Sequence, residues 1–273
     1  MKILLKPKYP FKVPVEARCI TPNTFAGKSV REIASLKVWE GNREKDLGEL
    51  FEVNSDSEVE TEELTIHIVG EVNNVRGIGS EMSLGKIIID GDVGMHLGEE
   101  MKRGMIITSG NADSWAGCMM KGGIIEIKGS TGDYLGASYR GSDRGMQGGT
   151  IIVHGNVGNE TGCFMNGGLI EIYGDAGQFT GIHMRDGTIF IKGNAAGRMG
   201  AEMLDGKIIV CGFVPSVLPS FTIDSIRSNV KTDGERVTGP FYCFSGDLAE
   251  GGKGKIYISK PSNPHLYFYE KYL

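Results

Sequence analysis

Between residues 66 and 212 the chain sets short apolar strands at a fixed interval, separated by polar, glycine-rich stretches. The strand segments are Ile87–Ile89, Ile106–Thr108, Ile125–Ile127, Ile151–Val153, Ile170–Ile172, Ile189–Ile191 and Ile208–Val210. Their first and third residues are nearly always β-branched and apolar, the period-two pattern of a strand with one buried face. Counting from Gly70, the same register returns at Gly91, Gly110, Gly129, Gly155, Gly174 and Gly193 and closes at Gly212. The steps are therefore 21, 19, 19, 26, 19, 19 and 19 residues, with short insertions near Gly77–Ser80 and within Gly141–Gln147. A glycine stands seven residues into every unit, at Gly77, Gly98, Gly117, Gly136, Gly162, Gly181 and Gly200. Such regularity predicts tight corners with positive φ.

One short strand cannot bury its own apolar face, whereas equivalent strands stacked in parallel about 4.8 Å apart can. The expected fold is all-β: a right-handed parallel β-helix of about seven 19-residue coils. Residues 66–212 form this body, with small mixed α/β caps at 1–65 and 213–273 covering its open edges. Ser29–Lys37 reads as helical, and the aromatic tail His265–Tyr272 reads as a cap strand or a docking segment, the cap being favoured.

Composition narrows the function. The chain has 273 residues, 42 glycines, five cysteines and a formal net charge of −5. A charged fraction of 23% excludes wholesale disorder, and the mild acidity argues against binding a phosphate backbone. With no apolar run of about 18 residues, and with Met1–Pro7 too short for a secretory signal, the expectation is a soluble, cytoplasmic chain without membrane insertion. Cys19, Cys118, Cys163, Cys211 and Cys243 show no CxxC spacing, so neither a zinc ribbon nor an iron–sulfur cluster is expected in this chain alone.

Few residues carry a catalytic pattern. Met82, Met101, Met120, Met165, Met184 and Met203 share one unit position, with Tyr139 in the fourth slot. Without a cysteine or histidine column beside them they read as core filler rather than a soft-metal track. Asp92, Asn111, Asn156, Asp175 and Asn194, with Glu71 and Ser130 as variants, read as a side-chain ladder satisfying turn backbone. His96, His154 and His183 fall at different unit positions and are expected on different faces. No catalytic, cofactor-binding or metal-ligating residue is assigned. The outward strand position reads Ile88, Ile107, Glu126, Ile152, Glu171, Phe190 and Ile209, too apolar for a solvated face. A partner interface is expected at Ile107, Ile152, Phe190 and Ile209, joined by Arg140 and Arg144 of the inserted loop.

The units, as in Gly174–Gly193 (GDAGQFTGIHMRDGTIFIKG), resemble the GXGXG repeat family. That family includes the C-terminal domain of the glutamate synthase large subunit and the C subunit of formylmethanofuran dehydrogenase. The lead-in Pro22–Gly27 (PNTFAG), Val38–Asn42 (VWEGN) and Leu47–Val53 (LGELFEV), with the insertion Tyr139–Gly149, is similar to the latter. The resemblance implies a non-catalytic scaffold in a complex that reversibly reduces CO2 and attaches it to methanofuran, the first step of methanogenesis from CO2. It implies metal-pterin, amidohydrolase and polyferredoxin-like partner subunits. The tungsten- or molybdenum-pterin, iron–sulfur clusters and dinuclear metal centre would lie in those subunits, with no cofactor in this one. The alternatives are the C subunit of the methylotroph formyltransferase/hydrolase complex and a β-helix enzyme acting on carbohydrate, which the missing carboxylate ladder disfavours.

Overall fold

The computed structural model describes residues 2–56, 64–232 and 234–273. In chain order the strands are β1 (Lys2–Pro7), β2 (Val15–Glu16), β3 (Lys37–Glu40), β4 (Arg43–Asp46), β5 (Phe51–Asp56), β6 (Thr65–Val69), β7 (Val75–Arg76), β8 (Lys86–Asp90) and β9 (Met105–Thr108). They continue with β10 (Ile124–Ile127), β11 (Thr150–Val153), β12 (Asn166–Ile172), β13 (Asp186–Ile191), β14 (Lys207–Val210), β15 (Thr222–Lys231), β16 (Arg236–Gly246) and β17 (Gly254–Ser259). Three one-turn helices, at Pro22–Phe25, Val30–Ala34 and Leu47–Leu50, lie in the N-terminal segment. The helix expected over Ser29–Lys37 is shorter: a Ser29/Glu32 capping box starts it, and the chain has turned into β3 by Lys37.

The repeated strands pair in parallel with strict register, as in Ile87↔Ile106, Ile106↔Ile125 and Ile125↔Ile151. Alternate residues face inward, and Ile87, Ile106, Ile125, Ile151, Ile170, Ile189 and Ile208 form one fully buried line. Each such side chain contributes roughly 1.5–3 kcal/mol. A second line of single parallel bridges runs through Val72, Val93, Ala112 and Thr131 and resumes at Val157, Ala176 and Ala195.

The pairing corrects the expected all-parallel β-helix with separate caps. The strands form one 13-stranded mixed sheet in the order β15-β16-β17-β14-β13-β12-β11-β10-β9-β8-β6-β1-β5. The flanks extend this sheet instead of covering its ends. At one end β1 pairs parallel with β6 and antiparallel with β5; at the other β17 pairs parallel with β14 and antiparallel with β16. A separate four-stranded sheet, β4-β3-β2-β7, ties the N-terminal segment to the first unit. The physical reason is that exposed end strands present unpaired backbone groups, which antiparallel neighbours satisfy directly.

Corners reverse the chain through left-handed backbone. Gly136 has φ +63°, and a Cβ there would stand 2.7 Å from Ile170 Cδ1. Two further corner positions are left-handed without glycine: His96, Trp115, Tyr134, Glu160, Phe179 and Arg198 at one, and Glu81, Glu100, Met119, Phe164, His183 and Glu202 at the other. The column of methionines is buried, as core filler should be, but its fourth slot holds Met146 and not Tyr139. The inserted residues precede Met146, whose N–H donates to Gly136 O at 2.9 Å, and Tyr139 is left exposed at the start of the loop.

The C-terminal hairpin β15–β16 folds over the outer face of the last units. Phe190 and Ile209, expected at a partner interface, are instead buried against Val230 and Phe241 of this same chain. The tail, a 3-10 helix over Pro264–Tyr272, docks through Leu266 and through Tyr269 edge-on to Phe244, leaving Tyr267 and Phe268 exposed.

Gly136→Val is expected to cost about 2–5 kcal/mol in chemical denaturation, from left-handed strain plus overpacking. Gly141→Val, where φ is +84° but no atom lies within 4 Å, isolates the strain component alone. An unchanged denaturation midpoint for Gly136→Val refutes the packing of the corner. Phe190→Asp is expected to destabilise the isolated chain by at least about 3 kcal/mol. Ile107→Asp, on a half-exposed position, is expected to cost about 1–2 kcal/mol; equal losses would contradict the hairpin cover.

Candidate functional site

Residues at equal unit positions become neighbours one strand apart, so single side chains build ladders. The ladder at unit position two carries hydrogen bonds: Asp92 Oδ1 accepts from Asn111 N at 2.6 Å, Asn111 Oδ1 from Ser130 N at 2.8 Å, and Asn156 Oδ1 from Asp175 N at 2.8 Å. These oxygens satisfy turn backbone and leave little for a ligand.

The left-handed corner residues build aromatic ladders. His96 stacks on Trp115 with 5.5 Å between ring centroids, and Trp115 stacks on Tyr134 at 4.6 Å. The other two repeat histidines join different stacks: His154 stacks on Tyr173 and His183 on Phe164. The inserted loop arches over the first ladder. Arg140 lies 6.0 Å above the Trp115 ring, and Asp143 pairs with Arg185 at 3.0 Å, which pins the loop to a later unit. Between loop and ladder lies a cleft of about 190 Å³ lined by Trp115, Tyr134, Tyr139, Arg140, Glu160 and Phe164. Arg144 is exposed on the loop and lies outside that lining.

Below His96 the structure assembles a cluster to which the sequence pattern assigned no role. Ligand atoms of His96, Glu99 and Cys118 all lie within 4.8 Å of one another. Glu99 and Cys118 occupy the same position in successive units, 19 residues apart, and that shared offset is the signal that could have found them. His96 Nδ1 stands 3.5 Å from Glu99 Oε2, and both atoms are buried without a hydrogen-bond partner. Arg18, on the segment after β2, brings Nη2 to 2.8 Å from Glu99 Oε2. This is an ion pair without an aligned N–H···O bond. The Arg18 Nε donates instead to Glu16 Oε1 at 2.7 Å. Burial holds His96 below the ordinary histidine range, opposed by the Glu99 charge. Burial first, then Glu99 and Glu100, pushes the Cys118 thiol up to about 12.

The outer column of the sheet divides into two halves. Ile88, Ile107 and Ile152 are half-buried and uncovered by this chain's hairpin, while Phe190 and Ile209 lie beneath it. The two acidic members are ion-paired, Glu126 to Lys128 and His154 and Glu171 to Lys192. The Lys128 and His154 hydrogen bonds hold the Glu126 carboxyl below the usual range. Of the six expected interface residues, Ile107 and Ile152 share a sheet face, Arg140 and Arg144 sit on the loop, and Phe190 and Ile209 are internal. Among the described residues no helix is long and apolar enough to cross a membrane.

No protein-family model matches the chain. It is 47% identical over 97 residues to the C subunit of the molybdenum-containing formylmethanofuran dehydrogenase 1 of Methanothermobacter marburgensis, a match covering 36% of this chain and 24% of that protein. It is 45% identical over 96 residues to the C subunit of the tungsten-containing formylmethanofuran dehydrogenase 2 of Methanothermobacter wolfeii, covering 35% of this chain and 36% of that one. The matched stretch thus spans about a quarter to a third of the length of these curated relatives. A chain of the formyltransferase/hydrolase complex from Methylorubrum extorquens, solved with methylofuran, superposes with a TM-score of 0.82 and 27% identity. That superposition covers 94% of this chain and 99% of the other. Over its matched stretch the chain is similar in sequence to formylmethanofuran dehydrogenase C subunits of both the molybdenum and the tungsten form, and over most of its length it is similar in structure to a chain of a formyltransferase/hydrolase complex.

Proposed function

We propose that this chain is a non-catalytic structural subunit of a formylmethanofuran dehydrogenase complex. In that complex CO2 is reversibly reduced and attached to methanofuran as N-formylmethanofuran, and this subunit holds the catalytic chains in place. The observation that carries the reading is the near-complete structural overlap with a chain of a formyltransferase/hydrolase complex, alongside sequence relatives named as C subunits of formylmethanofuran dehydrogenases. The physics agrees with a scaffold. A continuous 13-stranded sheet is stiff, and the half-buried isoleucines Ile88, Ile107 and Ile152, interrupted by the ion-paired Glu126, offer apolar contact points for a partner. The tungsten- or molybdenum-pterin, iron–sulfur and dinuclear metal centres belong to other subunits in this reading. Those partners are the metal-pterin, amidohydrolase and polyferredoxin-like chains, and the complex works in the cytoplasm.

A second reading has its own support. The solved neighbour belongs to a formyltransferase/hydrolase complex, so the chain would serve there as the corresponding subunit, without the metal-pterin reduction.

Affinity purification of the chain from its native host under anoxic conditions, with subunit and metal analysis, decides between them. The expected result is large subunits carrying tungsten or molybdenum and iron–sulfur absorbance. Large partners lacking both favour the second reading, and a lone monomer contradicts both.

A further inference from the structure

We propose that His96, Glu99 and Cys118 bind one divalent cation of the borderline-soft class, such as Zn2+, through imidazole Nδ1, a carboxylate oxygen and a thiolate. The mixed nitrogen, oxygen and sulfur donor set is the one such ions take, with the fourth position left to water. Three observations point the same way. All three ligand atoms lie within 4.8 Å of one another, and the 3.5 Å between His96 Nδ1 and Glu99 Oε2 is close to the ~3.4 Å edge that bonds of about 2.0–2.1 Å give at the tetrahedral angle. His96 Nδ1 is buried and lacks a hydrogen-bond partner, a cost that a bound ion removes, and Glu99 Oε2, equally buried, has only the Arg18 ion pair. Glu99 is also a carboxylate only 8% exposed, in a line of equivalent positions that otherwise holds the uncharged Ser80, Cys118, Ala137, Cys163, Ile182 and Ala201.

Arg18 is the nearest positive group to the cluster, with Arg76 acting on His96 from farther off, and the charges of the ion and its ligands balance. Its guanidinium keeps a carboxylate of its own in Glu16, so Glu99 is available to the ion. On binding, the Cys118 thiol releases its proton to solvent as the S–metal bond forms. A dication, one carboxylate and one thiolate then sum to zero. Burial makes the thiol weakly acidic in the empty cluster, so the cation supplies the pull that ionises it. His96 is neutral near pH 7 and needs no deprotonation, only the tautomer with Nδ1 free. Its ring is already oriented by the stack on Trp115, whose indole lies only 4° from parallel. Such an ion would fasten the second and third units to each other.

The test is titration of the full chain, stripped with chelator, with Co2+ as the spectroscopic probe. The expected result is one equivalent bound with a thiolate-to-cobalt charge-transfer band, displaced by Zn2+. Cys118→Ala should abolish the band, and His96→Phe should weaken binding at least tenfold. Cys163→Ala, at the same unit position two strands away, should leave it unchanged. Absence of the band in the native chain, or its persistence in Cys118→Ala, overturns the proposal. Should Cys118→Ala fail to fold, alkylation of the native chain followed by peptide mapping decides: Zn2+ must protect Cys118 selectively, and equal labelling with and without Zn2+ contradicts the site.

Discussion

Strict parallel register is the constraint on which the rest of this molecule depends. Each repeated strand is only four to seven residues long, too short to be stable alone, and gains its backbone hydrogen bonds and buried face only from its neighbours. The chain must therefore return to the same height after each unit. It does so through corners in which glycine and non-glycine residues alternate in left-handed conformation. A slip of one residue would exchange the buried isoleucine line with the outer column, so the register is strongly specified. The insertions are accommodated where they leave this register intact: the loop before Met146 bulges outward, and Met146 returns to the buried column.

Register also generates the chemistry of the surface. A side chain at a given unit position meets its equivalent one strand away, so similar residues form ladders and dissimilar ones form sites. The Asp/Asn ladder and the aromatic stacks are consequences of the first kind. Glu99 above Cys118 is of the second, a buried carboxylate beside a thiol, completed by His96 from a corner of the same unit and flanked by Arg18 from outside the repeat.

Much of the local architecture was legible in the sequence, because strand positions, corner glycines and the methionine column follow from periodicity except where an insertion shifts the count: Gly79, not Gly77, takes the first unit's corner, and Met146, not Tyr139, the fourth methionine slot. What periodicity could not supply was the behaviour of the flanks. Nothing in a 19-residue pattern shows that β1 and β17 would continue the same sheet and end it in antiparallel partners, and so an all-parallel β-helix with separate caps was expected. For the same reason Phe190 and Ile209 read as exposed, although the non-repeating hairpin β15–β16 buries them. Left-handed corners at His96 and Phe164 were also missed, since only glycine and, less strongly, Asn and Asp signal positive φ in a sequence. Arg18, contributed by a non-repeating segment, had no register by which to be placed near Glu99.

The outer face therefore has one half closed by the chain itself and one half, at Ile88, Ile107 and Ile152, open to a partner. Hydroxyl-radical footprinting of the chain alone and within its native complex measures this division, because it reports side-chain exposure residue by residue. Ile88, Ile107 and Ile152 are expected to become protected on assembly, while Phe190 and Ile209 are unreactive in both states. Equal labelling of those isoleucines alone and in the complex would contradict a scaffold that binds its partners through this face.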